Sequence, residues 1–187
     1  MVAVGVVAVV ASVVVARRGA GDMDIGRIVR HLFAGPASVR RVLPATSLAR
    51  IEQTIAASER MHRGQIRFAV EAGLDFVAVS AGVTARERAI DMFSRLRVWD
   101  TAHNNGVLVY LLLADRDVEI VADRGIHARC GDAVWEAVCR DMEQQFRAGR
   151  FEEGVVAGIE ALGARLALHF PGDGETSNEL PDSPVVL

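Results

Sequence analysis

Nine consecutive residues without a charge, Gly106 to Ala114, constrain the fold of this chain more than any other stretch. The run is rich in Val and Leu and is bounded by turn residues, so it reads as a strand buried on both faces. Such a strand lies inside a sheet and has helices on either side. Asp115-Arg116-Asp117 follows as a tight polar turn. Val118, Ile120 and Ala122 then alternate with Glu119 and Val121, which predicts the return strand of a hairpin. Upstream, Gln65 to Glu71 sets Ile66, Phe68 and Val70 against Arg67 and Ala69, which predicts a strand with one apolar face.

Helical spacing fills the intervals. Ser47 to about His62 carries Leu48, Ile51, Ile55 and Ser58 on one stripe, with Thr46 or Ser47 as the cap. Thr84-Ala85-Arg86-Glu87 is a capping box ahead of a helix that turns Ala89, Phe93 and Leu96 inward. Asp132 to Ala148 aligns Trp135, Val138, Met142 and Phe146, and Gly149 ends it. Phe151 to His169 aligns Val155, Ile159, Leu162 and Leu166, and Pro171 stops it. Phe76 to Val79 reads as a short strand or a packed loop. A strand, a crossover helix, a second strand and a hairpin return make a three-layer α/β/α sandwich with a mixed sheet. The domain is expected over 46–170. Residues 171–187 form a polar, Pro-containing tail, expected to be extended or disordered.

The N-terminal part is expected to lie outside that domain. Residues 23–45 hold an amphipathic helix and a linker, with Ile25, Ile28, Val29 and Phe33 at helical spacing and Arg27, Arg30 and His31 between them. This helix suits docking on the domain, or peripheral contact with a membrane surface through residues 25–33. Residues 1–22 are an apolar extension. Fifteen residues from Val2 to Ala16 span roughly 22 Å as a helix, short of a bilayer core, and their cations (Arg17, Arg18) follow the run rather than precede it. The run reads either as a weak membrane anchor or as upstream coding sequence, with Met23 as the natural start. Localisation is expected to be cytoplasmic or peripheral at the membrane, or anchored through residues 2–16.

Composition closes off several chemistries. The net charge is −3, which excludes a strongly basic nucleic-acid binder, and no nucleic-acid partner is expected. All 21 cationic side chains are arginine, so no Schiff-base, Walker-type or Ser-Lys lysine exists. Cys130 and Cys139 make neither a disulfide scaffold nor a zinc pattern. Cys139 reads as core. Cys130, beside Arg129 and ahead of a helix start, has the setting of a thiol with a lowered pKa.

The densest polar stretch is Trp99-Asp100-Thr101-Ala102-His103-Asn104-Asn105-Gly106, which enters the buried strand. Topology brings three segments to that rim of the sheet: Asn104 and Asn105, then Asp123 and Arg124 leaving the antiparallel partner, then His62 and Arg63 entering the first strand. Asp100, Asn104 and Asp123 offer the hard oxygens that Ca²⁺ prefers. Arg124, His62 and Asn105 are the candidate anion or substrate residues, with the start of the helix near Asp132 beside them. The same residues also serve as a plain polar loop. A second group, Glu71, Asp115 and Asp117, falls at the opposite end, where the two aspartates read as turn residues.

Phe93-Ser94-Arg95-Leu96-Arg97-Val98-Trp99, Asn104-Asn105-Gly106-Val107-Leu108, Asp115-Arg116-Asp117-Val118-Glu119-Ile120 and Asp123-Arg124-Gly125-Ile126 together resemble the TPM domain family. Phe146-Arg147-Ala148-Gly149-Arg150-Phe151 fits as well, and the resemblance covers about residues 46 to 169. It implies a Rossmann-like α/β/α sandwich. It also implies phosphatase activity in some members, calcium in a cleft near the Asx-Asn-Gly turn in others, and frequent membrane anchoring. This chain departs from the pattern in three ways. Asn104 stands where Asp is usual, Asp123-Arg124-Gly125 replaces a Gly-Tyr-Gly turn, and residues 171–187 carry no apolar run of the length a transmembrane span needs. The expected function is an accessory module that binds a divalent cation or a protein partner in membrane-protein maintenance. The alternative is a metal-assisted phosphatase acting on phosphomonoesters.

Overall fold

The computed structural model describes residues 24–172 and 178–187. The expectations for residues 2–16 and for Met23 lie outside the described residues. In chain order the elements are α1 (Ile25–Leu32), α2 (Pro36–Val42), α3 (Ala45–Glu59), β1 (Gln65–Glu71), α4 (Phe76–Ser80), α5 (Ala85–Arg95), β2 (Gly106–Leu112), β3 (Asp117–Ala122), α6 (Arg124–Cys130), α7 (Asp132–Arg147), α8 (Phe151–His169) and β4 (Val185–Val186). Among the described residues, no helix is long and apolar enough to cross a membrane.

The sheet runs β3-β2-β1-β4. β1 and β2 pair in parallel from Gln65↔Gly106 to Glu71↔Leu112, and β3 returns antiparallel to β2 from Val107↔Ala122 to Leu112↔Asp117. Alternation along the strands builds two cores. Val107, Val109 and Leu111 of β2 join Ile66, Phe68 and Val70 of β1 on the side covered by α2, α3, α6, α7 and α8. Leu108, Tyr110 and Leu112 face the other way, onto Ala85, Ala89 and Met92 of α5 and Val79 of α4. The uncharged run is therefore buried on both faces, and the three-layer sandwich with its mixed sheet is the observed architecture. Each large apolar side chain so buried stabilises the fold by roughly 1.5–3 kcal/mol. The stripes expected for the two long C-terminal helices are all in the core, and the rings of Phe146 and Phe151 stack 5.2 Å apart where α7 hands over to α8.

Four local expectations need correction. Residues 76–80 form a short helix capped by Asp75, which accepts from Ala78 N at 2.8 Å. Residues 124–130, where the sequence pattern predicts no element, form α6. β1 does not have one apolar face. It is an interior strand, because the tail returns to pair with it at Ala69↔Val185 and Val70↔Val186. Arg67 donates to the carbonyls of Pro181 and Ser183, and Leu180 is buried in the second core. The last residues are thus extended, as one of the two expectations had it, and they are part of the sheet.

The fourth correction concerns α1. Its apolar spacing suggests docking through Ile25, Ile28, Val29 and Phe33; Ile28 packs half-buried against the second core, yet the other three are exposed. Besides Ile28, the helix docks through its polar side chains. Buried His31 accepts from Leu74 N through Nδ1 at 2.8 Å, and its Nε2 lies 3.1 Å from Asp115 Oδ1. Arg27 donates Nε to Asp115 Oδ2 at 3.0 Å and Nη2 to Val83 O at 2.7 Å. The domain presents a carboxylate, a carbonyl and an amide at this point, and only polar side chains can satisfy them.

Candidate functional site

The rim at the start of β2 is assembled by backbone hydrogen bonds. Gln65 N donates to Asn105 O at 2.9 Å, and Asp123 N donates to Gly106 O at 2.9 Å. Asn105 N donates to Thr101 Oγ1 at 3.0 Å, and its Nδ2 donates to Arg63 O. Asn105 and Asp123 therefore share one end of the sheet, as topology requires. Two glycines hold the loop of residues 98–105 in place by close approach. A Cβ on Gly106 would lie 1.9 Å from Val98 O, and one on Gly125 would lie 2.7 Å from Asn104 O.

Inside this rim, two oxygens have no hydrogen-bond donor. Asn105 and Asp123 are 4% and 8% exposed. Asp123 Oδ1 accepts from Arg124 N at 2.7 Å, but Asp123 Oδ2 is buried without a partner. Asn105 must turn its NH₂ to the Arg63 carbonyl, which can only accept, and this leaves its Oδ1 buried without a partner as well. An unsatisfied buried acceptor costs about 1–3 kcal/mol. Burial raises the Asp123 carboxyl above the usual aspartate range, while the Arg124 N–H and guanidinium partly offset this. Two buried acceptors without donors invite a cation. As acceptors they suit an anion less well.

The remaining expected ligands are placed differently. Asp100 and Asn104 are exposed, and Asn104 takes a left-handed backbone with φ of 50°. Among the described residues, no three His, Cys, Asp or Glu side chains gather closely enough to hold a metal. Any cation here would depend on Asp123, Asn105, loop carbonyls and water. Arg124 is exposed at the first position of α6. α6 stands in the chain between Asp123 and α7.

His62 is fully buried and turns away from the rim. Its Nδ1 lies 3.1 Å from Gly64 O and its Nε2 2.9 Å from Ser58 Oγ. The carbonyl requires a proton on Nδ1, so Nε2 accepts from the serine and the ring is neutral. Burial lowers its pKa to about 4. Neither nitrogen is left for a substrate. Cys130 is likewise not activated: burial raises its thiol pKa despite the nearby Arg165. Burial also pushes Cys139 up to about 12.

One contributor was not foreseen. Glu179, from the tail, accepts from Ala102 N at 2.8 Å through Oε2, while Glu179 N and Leu180 N donate to Gln65 Oε1 at 2.7 and 3.1 Å. A third carboxylate thus sits on the loop, and no local sequence signal announces it. α6 did carry a signal. Asp123 is a cap residue, and Ile126 and Cys130 are one helical turn apart.

At the opposite end, the second acidic group is dispersed. Glu71 is held by Arg88 in two bonds of 2.8 and 2.9 Å and accepts from Tyr110 Oη at 2.6 Å. Asp115 anchors α1. Asp117 stands apart, its pKa raised to about 7 by burial and then by neighbouring acids, Glu119 first.

This geometry can be set beside known proteins. A solution structure of the BA42 protein from the psychrophilic bacterium Bizionia argentinensis shares 30% identity with the chain at a TM-score of 0.69, covering 78% of this chain and 95% of that one. The N-terminal domain of a P. gingivalis protein, 18% identical with a TM-score of 0.56, covers 69% of this chain and 79% of its own, and shows the same fold. No curated protein matches the chain. The family model described as the TPM domain matches residues 39–165, about two thirds of the sequence, from within α2 into α8, and the chain belongs to the TPM domain family.

Proposed function

We propose that this TPM domain is an accessory, non-enzymatic module that takes a divalent cation, Ca²⁺ by the nature of its donors, at the rim formed by the 98–105 loop and Asp123. The observation that carries this reading is the pair of buried oxygens, Asn105 Oδ1 and Asp123 Oδ2, with no donor for either. A hard cation on Asp123 Oδ2 would remove the burial penalty on that carboxylate, and Asn105 Oδ1 is a second acceptor at the same end of the sheet. Calcium takes about 6–8 oxygens, so loop carbonyls and water would complete the shell. With one buried carboxylate, affinity belongs at the weak end of the range, since ligand charge sets it. Exposed Asp100 and Glu179 would add charge at the edge.

The phosphatase reading needs a base or nucleophile beside these oxygens. Two histidines could supply it: His62 has both nitrogens occupied on the core side, whereas His103 is exposed on the loop itself, so turnover decides between the readings. The test is a calcium titration of the protein, followed by amide NMR and by the fluorescence of Trp99, which is exposed next to the loop. Saturable shifts confined to residues 100–105 and 123–125, lost in Asp123→Asn and unaccompanied by hydrolysis of a generic phosphomonoester, support the module. Absence of shifts refutes it. Metal-dependent turnover abolished by Asp123→Ala would replace it with the enzyme.

A further inference from the structure

The rim and the C-terminal tail are joined by a continuous set of contacts. Gln65, 2% exposed at the start of β1, donates its backbone N–H to Asn105 O at 2.9 Å, and its side-chain Oε1 accepts from Glu179 N and Leu180 N at 2.7 and 3.1 Å. The Glu179 carboxylate reaches the loop itself, where Oε2 accepts from Ala102 N at 2.8 Å. Local bonds shape the loop, from Asn104 N to Thr101 O and from Asn105 N to Thr101 Oγ1. Glu179 ties the middle of the loop to the tail, and Gln65 ties the tail to the strand on which Asn105 rests.

The tail is held by few apolar contacts. β4 is two residues long, and beyond it Leu187 N donates to Val70 O at 2.9 Å. Arg67 donates to the carbonyls of Pro181 and Ser183. Leu180 is the buried side chain of residues 178–187, while Val186 and Leu187 are 43 and 39% exposed. A segment with little buried apolar surface and a short ladder opens at lower free energy than the interior strands. Its opening takes the acceptor from Ala102 N and the two donors from Gln65 Oε1, so the loop is released with the tail. A cation held by Asp123 and by loop oxygens needs the loop in one arrangement. Two events that require the same arrangement favour each other, and the linkage is reciprocal.

We infer that residues 178–187 are a cation-linked latch: an ion at the Asn105–Asp123 rim closes the tail on the edge of β1, and release of the ion loosens it. Glu179 and Gln65 are positioning residues that act through the loop. The inference rests on the cation reading above and adds its regulation. The state of the rim is thereby read out at the β1 edge, where a loosened tail uncovers Gln65, Arg67 and the place of Leu180 in the second core.

The experiment is amide hydrogen exchange of the full chain by NMR, with and without saturating calcium. Without calcium, Glu179, Leu180 and Leu187 are expected to exchange faster than the amides of β2. Calcium is expected to slow all three by about tenfold, a usual size for coupling between two sites. Glu179→Ala, at an exposed position, is expected to lose most of the slowing at Leu180 and Leu187. Glu179→Gln keeps an acceptor for Ala102 N and is expected to restore it. Leu180→Ser, with its fold checked by circular dichroism, is expected to speed exchange at Ala102 and Asn105 in the absence of calcium. Calcium shifts on the loop with tail exchange unchanged overturn the latch and leave the cation reading in place. Tail amides as slow as those of β2 without calcium overturn it too, because the tail then opens only with the whole fold. Equal losses in Glu179→Gln and Glu179→Ala overturn the positioning role, since charge rather than the bond to Ala102 is then the connection. Absence of any loop shift with calcium removes the cation reading and the latch with it.

Discussion

Gly106→Ala tests how the rim is held. The missing side chain is what lets the Val98 carbonyl lie where a Cβ would be. An added Cβ would stand 1.9 Å from that oxygen, against about 3.4 Å for an ordinary contact, so roughly 1.5 Å of movement is needed. The obstacle is backbone, which cannot rotate aside as a side chain can. Gly106 itself is fixed by its pairing with Gln65 and by the Asp123 N–H on its carbonyl. The loop must therefore yield, at a cost near the upper end of the overpacking range, about 3 kcal/mol. With a urea dependence of about 2 kcal/mol per molar, the midpoint falls by about 1.5 M. Gly125→Ala meets Asn104 O at 2.7 Å, a deficit of about 0.7 Å, and should cost about 1–2 kcal/mol. Urea denaturation of both variants gives the comparison. A Gly106→Ala variant within about 0.5 kcal/mol of the native protein, or one costing less than Gly125→Ala, would refute the wedge as the reason for these glycines.

Two more substitutions test the buried charges. Glu59 is buried, its carboxyl pKa raised to about 8 by desolvation although Ile66 N donates to it. A raised carboxyl contributes full stability below about 4.5, which is lost as pH rises through about 8, so Glu59→Gln should raise the melting temperature at pH 9 and leave it unchanged at pH 4. Arg88→Met leaves the buried Glu71 carboxylate with the Tyr110 hydroxyl alone and should cost about 3 kcal/mol by urea denaturation, with much of it recovered on adding Glu71→Gln. A double variant no more stable than the single one would show that the pair itself, rather than the stranded charge, carries the effect.

Much of the fold was legible because its signals are local. The uncharged run ending at Ala114, the polar turn after it and the alternation through Ala122 specify a buried strand and a hairpin without reference to the rest of the chain. The capping box at Thr84 and the stripes of the last two helices are equally local. The convergence of Asn105 and Asp123 on one rim followed from topology alone. What topology could not supply is the direction of the side chains. Asn105 gives an oxygen rather than an amide to the rim because the Arg63 carbonyl claims its nitrogen. His62 is spent on Ser58 and Gly64 inside the core. The polar tail gave no strand signal because β4 is only two residues long and is made by pairing with β1, more than a hundred residues away.

The amino-acid pattern by itself determined that the run from Gly106 to Ala114 is an interior strand, that a hairpin return follows it, and which stripes of the long helices fill the core, since periodicity and turn chemistry act within a few residues. The tertiary structure alone decided which face of α1 docks, where the tail closes the sheet, and which two oxygens remain without donors. Those outcomes depend on hydrogen-bond partners supplied from distant parts of the chain, and a buried polar atom takes whichever partner the fold brings to it.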